Sequence, residues 1–109
     1  MIDVDTLPAC PVETTLTLIS DKWKILIVRD LLTGTKRFSE LRRSIGHISQ
    51  KALTSNLRQM EADGLVHREV YPEVPPRVEY SLTDTGHSLK PVIDALWNWG
   101  EDYKAKLAA

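Results

Sequence analysis

The run Lys22–Leu32, "KWKILIVRDLL", constrains the fold more than any other stretch. Its length and spacing predict a helix, with Ser20 or Asp21 as its cap and Gly34 beyond its end. Wound at 3.6 residues per turn, Trp23, Ile25, Leu26, Ile27, Val28, Leu31 and Leu32 cover most of the circumference. A helix apolar on nearly all sides has to be surrounded. A chain of 109 residues supports one modest core. The other segments are therefore expected to wrap this helix in a single domain, 1–109.

Those segments are legible one by one. Residues 1–9 are expected to be flexible. Residues 11–19 read as a short helix, with Pro11 suited to a first helical position. "KRF", residues 36–38, has room for only a small strand. Ser39 is expected to cap "ELRRSI", and Gly46-His47-Ile48 to make a turn. Ser49 then caps a longer helix in "SQKALTSNLRQMEADGL". Leu53, Leu57 and Met60 recur there at spacings of four and three and form its apolar face. Lys51, Ser55 and Arg58 fall opposite, with Thr54 and Gln59 at the borders. Gly64 closes it.

Two strand-like runs follow, "LVHREVY" and "RVEYSL", the second alternating through Val78, Tyr80 and Leu82. The prolines of "PEVPP" between them cannot donate to a ladder, so residues 72–76 are an extended hairpin tip. The strand register is not readable across such a loop. Thr83 is expected to cap the last helix, with a kink or restart at Pro91. Leu89, Val92, Ile93, Leu96, Trp97 and Tyr103 give that helix an apolar stripe. Trp97 and Trp99 lie two apart and point in different directions, so a partner surface for one of them is expected.

Two helices across a short turn, followed by a hairpin, form a winged helix-turn-helix arrangement. The fold class is α+β, mainly α, with a two- or three-stranded β-wing. In this plan the second helix of the pair enters the DNA major groove. The charge distribution agrees. The chain's net charge is −1, yet residues 36–58 hold Lys36, Arg37, Arg42, Arg43, Lys51 and Arg58 against Glu40 alone. A local field of this kind steers an anionic partner better than the overall sum does. The helix from Ser49 has no acid before Glu61, although Asp or Glu near its start would add about 0.3–1 kcal/mol of dipole stabilisation. An acid-free start leaves N–H groups and the positive helix end open to phosphate. Gln50 suits adenine, and Lys51 and Arg58 suit guanine or phosphate, while Ser49, Thr54 and Ser55 suit base or backbone. Lys36, Arg37, Arg42 and Arg43 are placed for phosphates beside the groove. Arg77, at the hairpin tip, is placed for a minor groove or the backbone.

Six fragments in order carry a more specific signal: "CPVE", "DKWKILIVRDLL", "RFSELRRSI", "ISQKALTSNLRQMEADGLVHREVY", "PPRVEYSLTDTG" and "LKPVIDALWNWG". Together they resemble the HxlR-type helix-turn-helix transcriptional regulators, relatives of the MarR group. The resemblance covers about Cys10 to Gly100. It implies a homodimeric bacterial regulator whose partner is a near-palindromic double-stranded DNA operator read by two copies, with terminal helices (11–19 and 84–107) forming the dimer contact and the wing touching DNA. Two positions depart from the pattern. "GHIS" stands where a Pro-Gly turn is usual, and Met60 where Leu is usual. A protein of this kind is expected to repress, and to reside in the cytoplasm at the nucleoid.

Cys10, the single cysteine, precedes Pro11 at the expected helix start. Helix N–H groups there favour the nucleophilic thiolate, while Glu13 opposes it. Regulators with a similar "CPVE" segment sense electrophiles or oxidants, so the resemblance implies redox sensing for Cys10. A lone cysteine excludes an internal disulfide and leaves only intermolecular ones. The alternative is a small half-buried residue that merely starts a helix.

Other functions find little support. His47, His67 and His87 have no ligand-spaced partners, so no metal and no cofactor is expected. Neither a Gly-rich phosphate loop nor a G-x-S-x-G motif occurs, so an enzyme is not expected. The longest apolar run is "ILIV", too short for a membrane span, and the start lacks a signal-peptide plan. Two alternatives share the fold: a winged-helix module that binds protein, and a regulator that answers a small-molecule ligand. A protein-binding module would expose apolar residues on the second helix; Lys51, Thr54, Ser55 and Arg58 present none.

Overall fold

The structure, a computed structural model, describes residues 2–109. Its helices are α1 (Pro11–Leu18), α2 (Lys22–Leu31), α3 (Phe38–Ile45), α4 (Gln50–Ala62), α5 (Asp84–His87) and α6 (Lys90–Ala108). Strands β1 (Val66–Tyr71) and β2 (Arg77–Leu82) form an antiparallel hairpin between α4 and α5. A short 3-10 turn, Val4–Thr6, is capped by the Asp3 side chain.

The central position expected for α2 is observed. It packs against α3, α4, β2 and α6, and Ile27, Val28 and Leu31 are fully buried. Asp21 caps it, its Oδ1 accepting from the N–H groups of Trp23 and Lys24. Lys24 lies among the buried residues at 2% exposure, and its Nζ donates to Asp21 Oδ2 at 3.3 Å. The apolar stem of a lysine fills core space when its head finds a partner at the edge.

The expected cap of α3 is corrected. Ser39 lies inside the first turn, and Arg37 is the cap residue. Glu40 Oε1 accepts the Arg37 N–H at 2.7 Å, so the carboxylate reaches back to an otherwise orphan donor. Ser44 Oγ ties α3 to α2 through Asp30 Oδ2 at 2.7 Å. Gly46 ends α3 in the left-handed region (φ +89°), where a residue without Cβ is favoured, and its N–H donates to the Arg42 carbonyl. Ile48 is buried in the turn, and Ser49 Oγ then accepts the Ala52 N–H at 3.0 Å to start α4.

The wing is two-stranded, and the third strand expected at residues 36–38 shrinks to one bridge. Lys36 and Tyr80 exchange backbone hydrogen bonds of 3.0 and 2.8 Å there. The hairpin register pairs Val66 with Leu82, Arg68 with Tyr80, and Val70 with Val78. Clean in-out alternation stops short of the tip: Leu65, Val66 and Leu82 are buried, but Val70 is 48% exposed. The tip extends beyond the core, so its apolar side chains have nothing beneath them.

The restart expected at Pro91 is observed, and it divides the segment 84–107 into two helices. Thr83 caps only α5, its Oγ1 accepting the Gly86 N–H at 3.1 Å, and α6 restarts at Lys90 with Pro91 in its first turn. The break follows from Pro91, whose missing N–H and fixed φ are tolerated only at a helix start. Both Trp97 (61%) and Trp99 (68%) are exposed, rather than one of them. Val92 and Ile93 pack on the core, whereas Leu96, Trp97, Trp99, Tyr103 and Leu107 farther along α6 are exposed.

Candidate nucleic-acid interface

Helix α4 builds the site. Leu53, Asn56, Leu57 and Met60 are buried, which turns the opposite side outward by helical periodicity. Asn56 Nδ2 donates to the Ala52 carbonyl at 2.8 Å, so the polar member of the inner face is satisfied. Gln50, Lys51, Thr54, Ser55, Arg58 and Gln59 line an open concavity along the outer side. No acid lies in the first turn of the helix. Five of the α4 residues expected from sequence are thus brought together on one surface, and Gln59 joins them. The sixth, Ser49, spends its hydroxyl on the Ala52 N–H as the cap.

The remaining cations fall into three places. Arg42 stands on α3 beside the turn into α4, with Nε donating weakly to the Ile48 carbonyl at 3.4 Å. Arg37 and Arg43 are exposed at the start and on the last turn of α3. Lys36 belongs to the wing by its bridge to Tyr80. Among the described residues, none of Lys36, Arg37, Arg42, Arg43, Lys51 and Arg58 forms an ion pair.

Arg77 differs from all of these. Its Nε contacts Glu73 Oε2 at 3.1 Å, one terminal nitrogen contacts Glu79 Oε2 at 3.1 Å, and its guanidinium lies 3.9 Å from the centre of the Tyr71 ring. Two carboxylates and one aromatic ring occupy the group that the sequence places at a groove.

Sequence reasoning missed Arg68. This residue and Tyr80 line a cleft of about 330 Å³ together with Thr54, Leu57, Arg58 and Glu61 of α4. The signal was the strand register, which pairs Arg68 with Tyr80 and is hidden by the proline-rich tip. Glu61, which lies past the outer face in sequence, also borders this cleft.

Cys10 is exposed and is the cap residue of α1 in extended conformation. Its carbonyl accepts from the Thr14 N–H at 3.0 Å and the Thr14 hydroxyl at 3.2 Å, which leaves the thiol outside the helix. Elsewhere, Ile25, Leu26, Ile93, Leu96 and Trp97 line a small apolar hollow between α2 and α6, with Arg29 at its edge. Arg29 is engaged there by Asp30 at 2.7 Å. Among the described residues no cluster of three or more His, Cys, Asp or Glu is arranged to hold a metal, and no helix is long and apolar enough to cross a membrane.

This geometry has known counterparts. The HTH-type transcriptional regulator YdeP of Bacillus subtilis is 50% identical over 103 residues, spanning 94% of this chain and 80% of YdeP. The redox regulator HypR in its oxidized form superposes with a TM-score of 0.80 at 52% identity, covering 85% of this chain and 96% of that one. Its reduced form gives 0.84 at 48% identity, covering 91% and 98%. The model of HxlR-like helix-turn-helix proteins matches residues 18–108, from the end of α1 through α6. With the helix pair, the hairpin and the terminal helix all inside that match, the chain belongs to the HxlR-like helix-turn-helix family of transcriptional regulators.

Proposed function

We propose that this chain is a DNA-binding transcriptional repressor that acts as a homodimer on a near-palindromic operator, and that oxidation of Cys10 changes its hold on DNA. The observation that carries the DNA reading is the outer side of α4, which is exposed, free of acid in its first turn and built from donors. Such a face matches base edges and phosphates, whereas a protein-binding helix would present apolar residues. Repression requires only that the bound protein occupy the site. Such a protein works in the cytoplasm, at the nucleoid.

The test is Arg58→Ala in operator binding at physiological salt. Binding should weaken by about 1–3 kcal/mol. Wild-type affinity in that variant removes the outer face of α4 from the interface.

The homodimer is supported by apolar side chains with nothing over them. Val12 and Leu16 on α1, and Leu96, Trp97, Trp99 and Tyr103 on α6, are all exposed. Apolar surface on this scale is uncommon on a monomer. Two recognition helices related by a twofold axis would sit about 34 Å apart, one turn of DNA.

The redox reading is supported by the exposure of Cys10 at a helix cap and by the likeness to HypR, which is described as a redox regulator in oxidized and reduced forms. One cysteine per chain permits a disulfide to Cys10 of the partner subunit or to a small thiol. In the first case two thiols lose two electrons and two protons to the oxidant as one S–S bond forms. With diamide, the N=N bond takes up both and becomes a hydrazine. A Cys10→Ser variant should bind the operator and ignore diamide; a full response in that variant sinks the idea.

A further inference from the structure

The wing has two chemically different faces. Residues directly opposite in an antiparallel pair project to the same side, and sides alternate along each strand. The register therefore puts Arg68 and Tyr80 on one face with Val66, Val70, Val78 and Leu82. Lys36 joins that face through its bridge to Tyr80. The other face carries Glu69 and Glu79, directly opposite one another, with Arg77 two residues from Glu79. Both strand carboxylates thus lie on one side of the wing, and the cations free of ion pairs on the other.

The cationic face is the one that meets α4. Arg68 and Tyr80 border the cleft there with Arg58 and Thr54. Arg58 and Thr54 also line the open concavity over the outer side of α4. Cleft and concavity therefore adjoin at Thr54 and Arg58, so a duplex docked on α4 would pass beside the cleft. On the far face, withdrawing Arg77 from the hairpin would leave Glu73 and Glu79 uncompensated beside phosphates.

We propose that Arg68 and Arg58 together seat a DNA backbone phosphate in the cleft between α4 and the wing, and that Arg77 is a strut of the hairpin tip rather than the wing's DNA contact. The inference rests on the DNA-binding reading above. Guanidinium groups suit the role because their planar donors pair with phosphate oxygens two at a time. Glu61 on the edge of the same cleft opposes the anion and sets how strongly it is held.

The experiment measures affinity of the full chain for an operator duplex and for an unrelated duplex, from about 50 to 200 mM salt. Arg68→Ala should make the slope of log K against log salt shallower by about one and weaken both duplexes by the same factor, as loss of one phosphate contact does. Arg68→Lys, which keeps the charge, should keep the slope, and Arg77→Ala should keep it as well. Glu61→Gln should tighten both duplexes. A wild-type slope in Arg68→Ala, with its circular dichroism unchanged, overturns the phosphate seat. A slope reduced by one in Arg77→Ala overturns the strut. A wild-type protein that binds neither duplex removes the DNA-binding reading itself, and this inference with it.

Discussion

Ser44 Oγ donates to Asp30 Oδ2 at 2.7 Å, and Arg29 grips the same carboxylate through Nε at 2.7 Å and a terminal nitrogen at 3.2 Å. Asp30 belongs to α2 and Ser44 to the last turn of α3. This carboxylate thus fastens the first helix of the helix-turn-helix pair to the central helix, and Arg29 carries the network to the edge of the α2–α6 hollow.

Breaking this junction should cost stability. The Asp30 side chain is only 12% exposed, so its loss leaves the Arg29 guanidinium without its carboxylate and the Ser44 hydroxyl with only the Leu41 carbonyl, 3.1 Å away, as acceptor. Asp30→Ala should destabilise by about 2 kcal/mol and Ser44→Ala by about 1 kcal/mol. Urea unfolding of the two variants, read as a change in midpoint at constant slope, checks the order.

Helix α4 should show a trade between stability and binding. Gln50 is its first residue, next to the Ser49 cap, and no acid shares that turn. Gln50→Glu should stabilise the free protein by about 0.3–1 kcal/mol through the helix dipole. The same change should weaken DNA binding, because the new carboxylate meets phosphate. Thermal melts and operator titrations on one preparation would show both effects; tighter binding by Gln50→Glu would contradict the placement of this helix end.

Gly86 is required by a close approach rather than by a special φ. A Cβ there would run into the Leu65 carbonyl oxygen and crowd the Leu82 side chain. The same backbone region is clamped by Thr83, whose Oγ1 donates to the Gly64 carbonyl at 2.6 Å and whose N–H donates to the Leu65 carbonyl at 3.1 Å. Gly86→Ala should therefore destabilise by about 1–3 kcal/mol, the usual cost of overpacking. An unchanged melting midpoint would show that α5 shifts freely.

The exposed apolar face of α6 should govern assembly. Trp99 stacks on Tyr103 with ring centres 5.2 Å apart, and neither ring touches the core. Trp99→Glu should leave the fold intact and yield a monomeric mass at micromolar concentration, where the wild type should sediment as a dimer. Operator affinity should fall with it, since one subunit reaches one half-site.

What the chain determines locally was legible from its order of residues. The apolar circumference of α2, the Leu53-Leu57-Met60 face, the acid-free start of α4 and the proline-rich tip all follow from periodicity and backbone chemistry within one segment. The cap of α3 was misplaced by two residues because Glu40 serves the Arg37 N–H from within the helix, an arrangement that competes with the simpler signal of Ser39. The break at Ser88–Leu89 turned Thr83 into the cap of a short helix, since Pro91 allows a new start as readily as a kink. Whether Trp97 or Trp99 is covered depends on how far α6 extends past the core, which no spacing encodes.

The charges show the division most plainly. Sequence alone made both Arg58, on the outer face of a helix, and Arg77, at the hairpin tip, candidates for DNA. Only the hairpin register sets Arg77 between Glu73 and Glu79 and Arg68 opposite Tyr80, and only the packing of β1 on α4 brings Arg68 to the same cleft as Arg58. Spacing along a strand or helix says which side chains share a face, but the distance between two faces is set by the core that joins them.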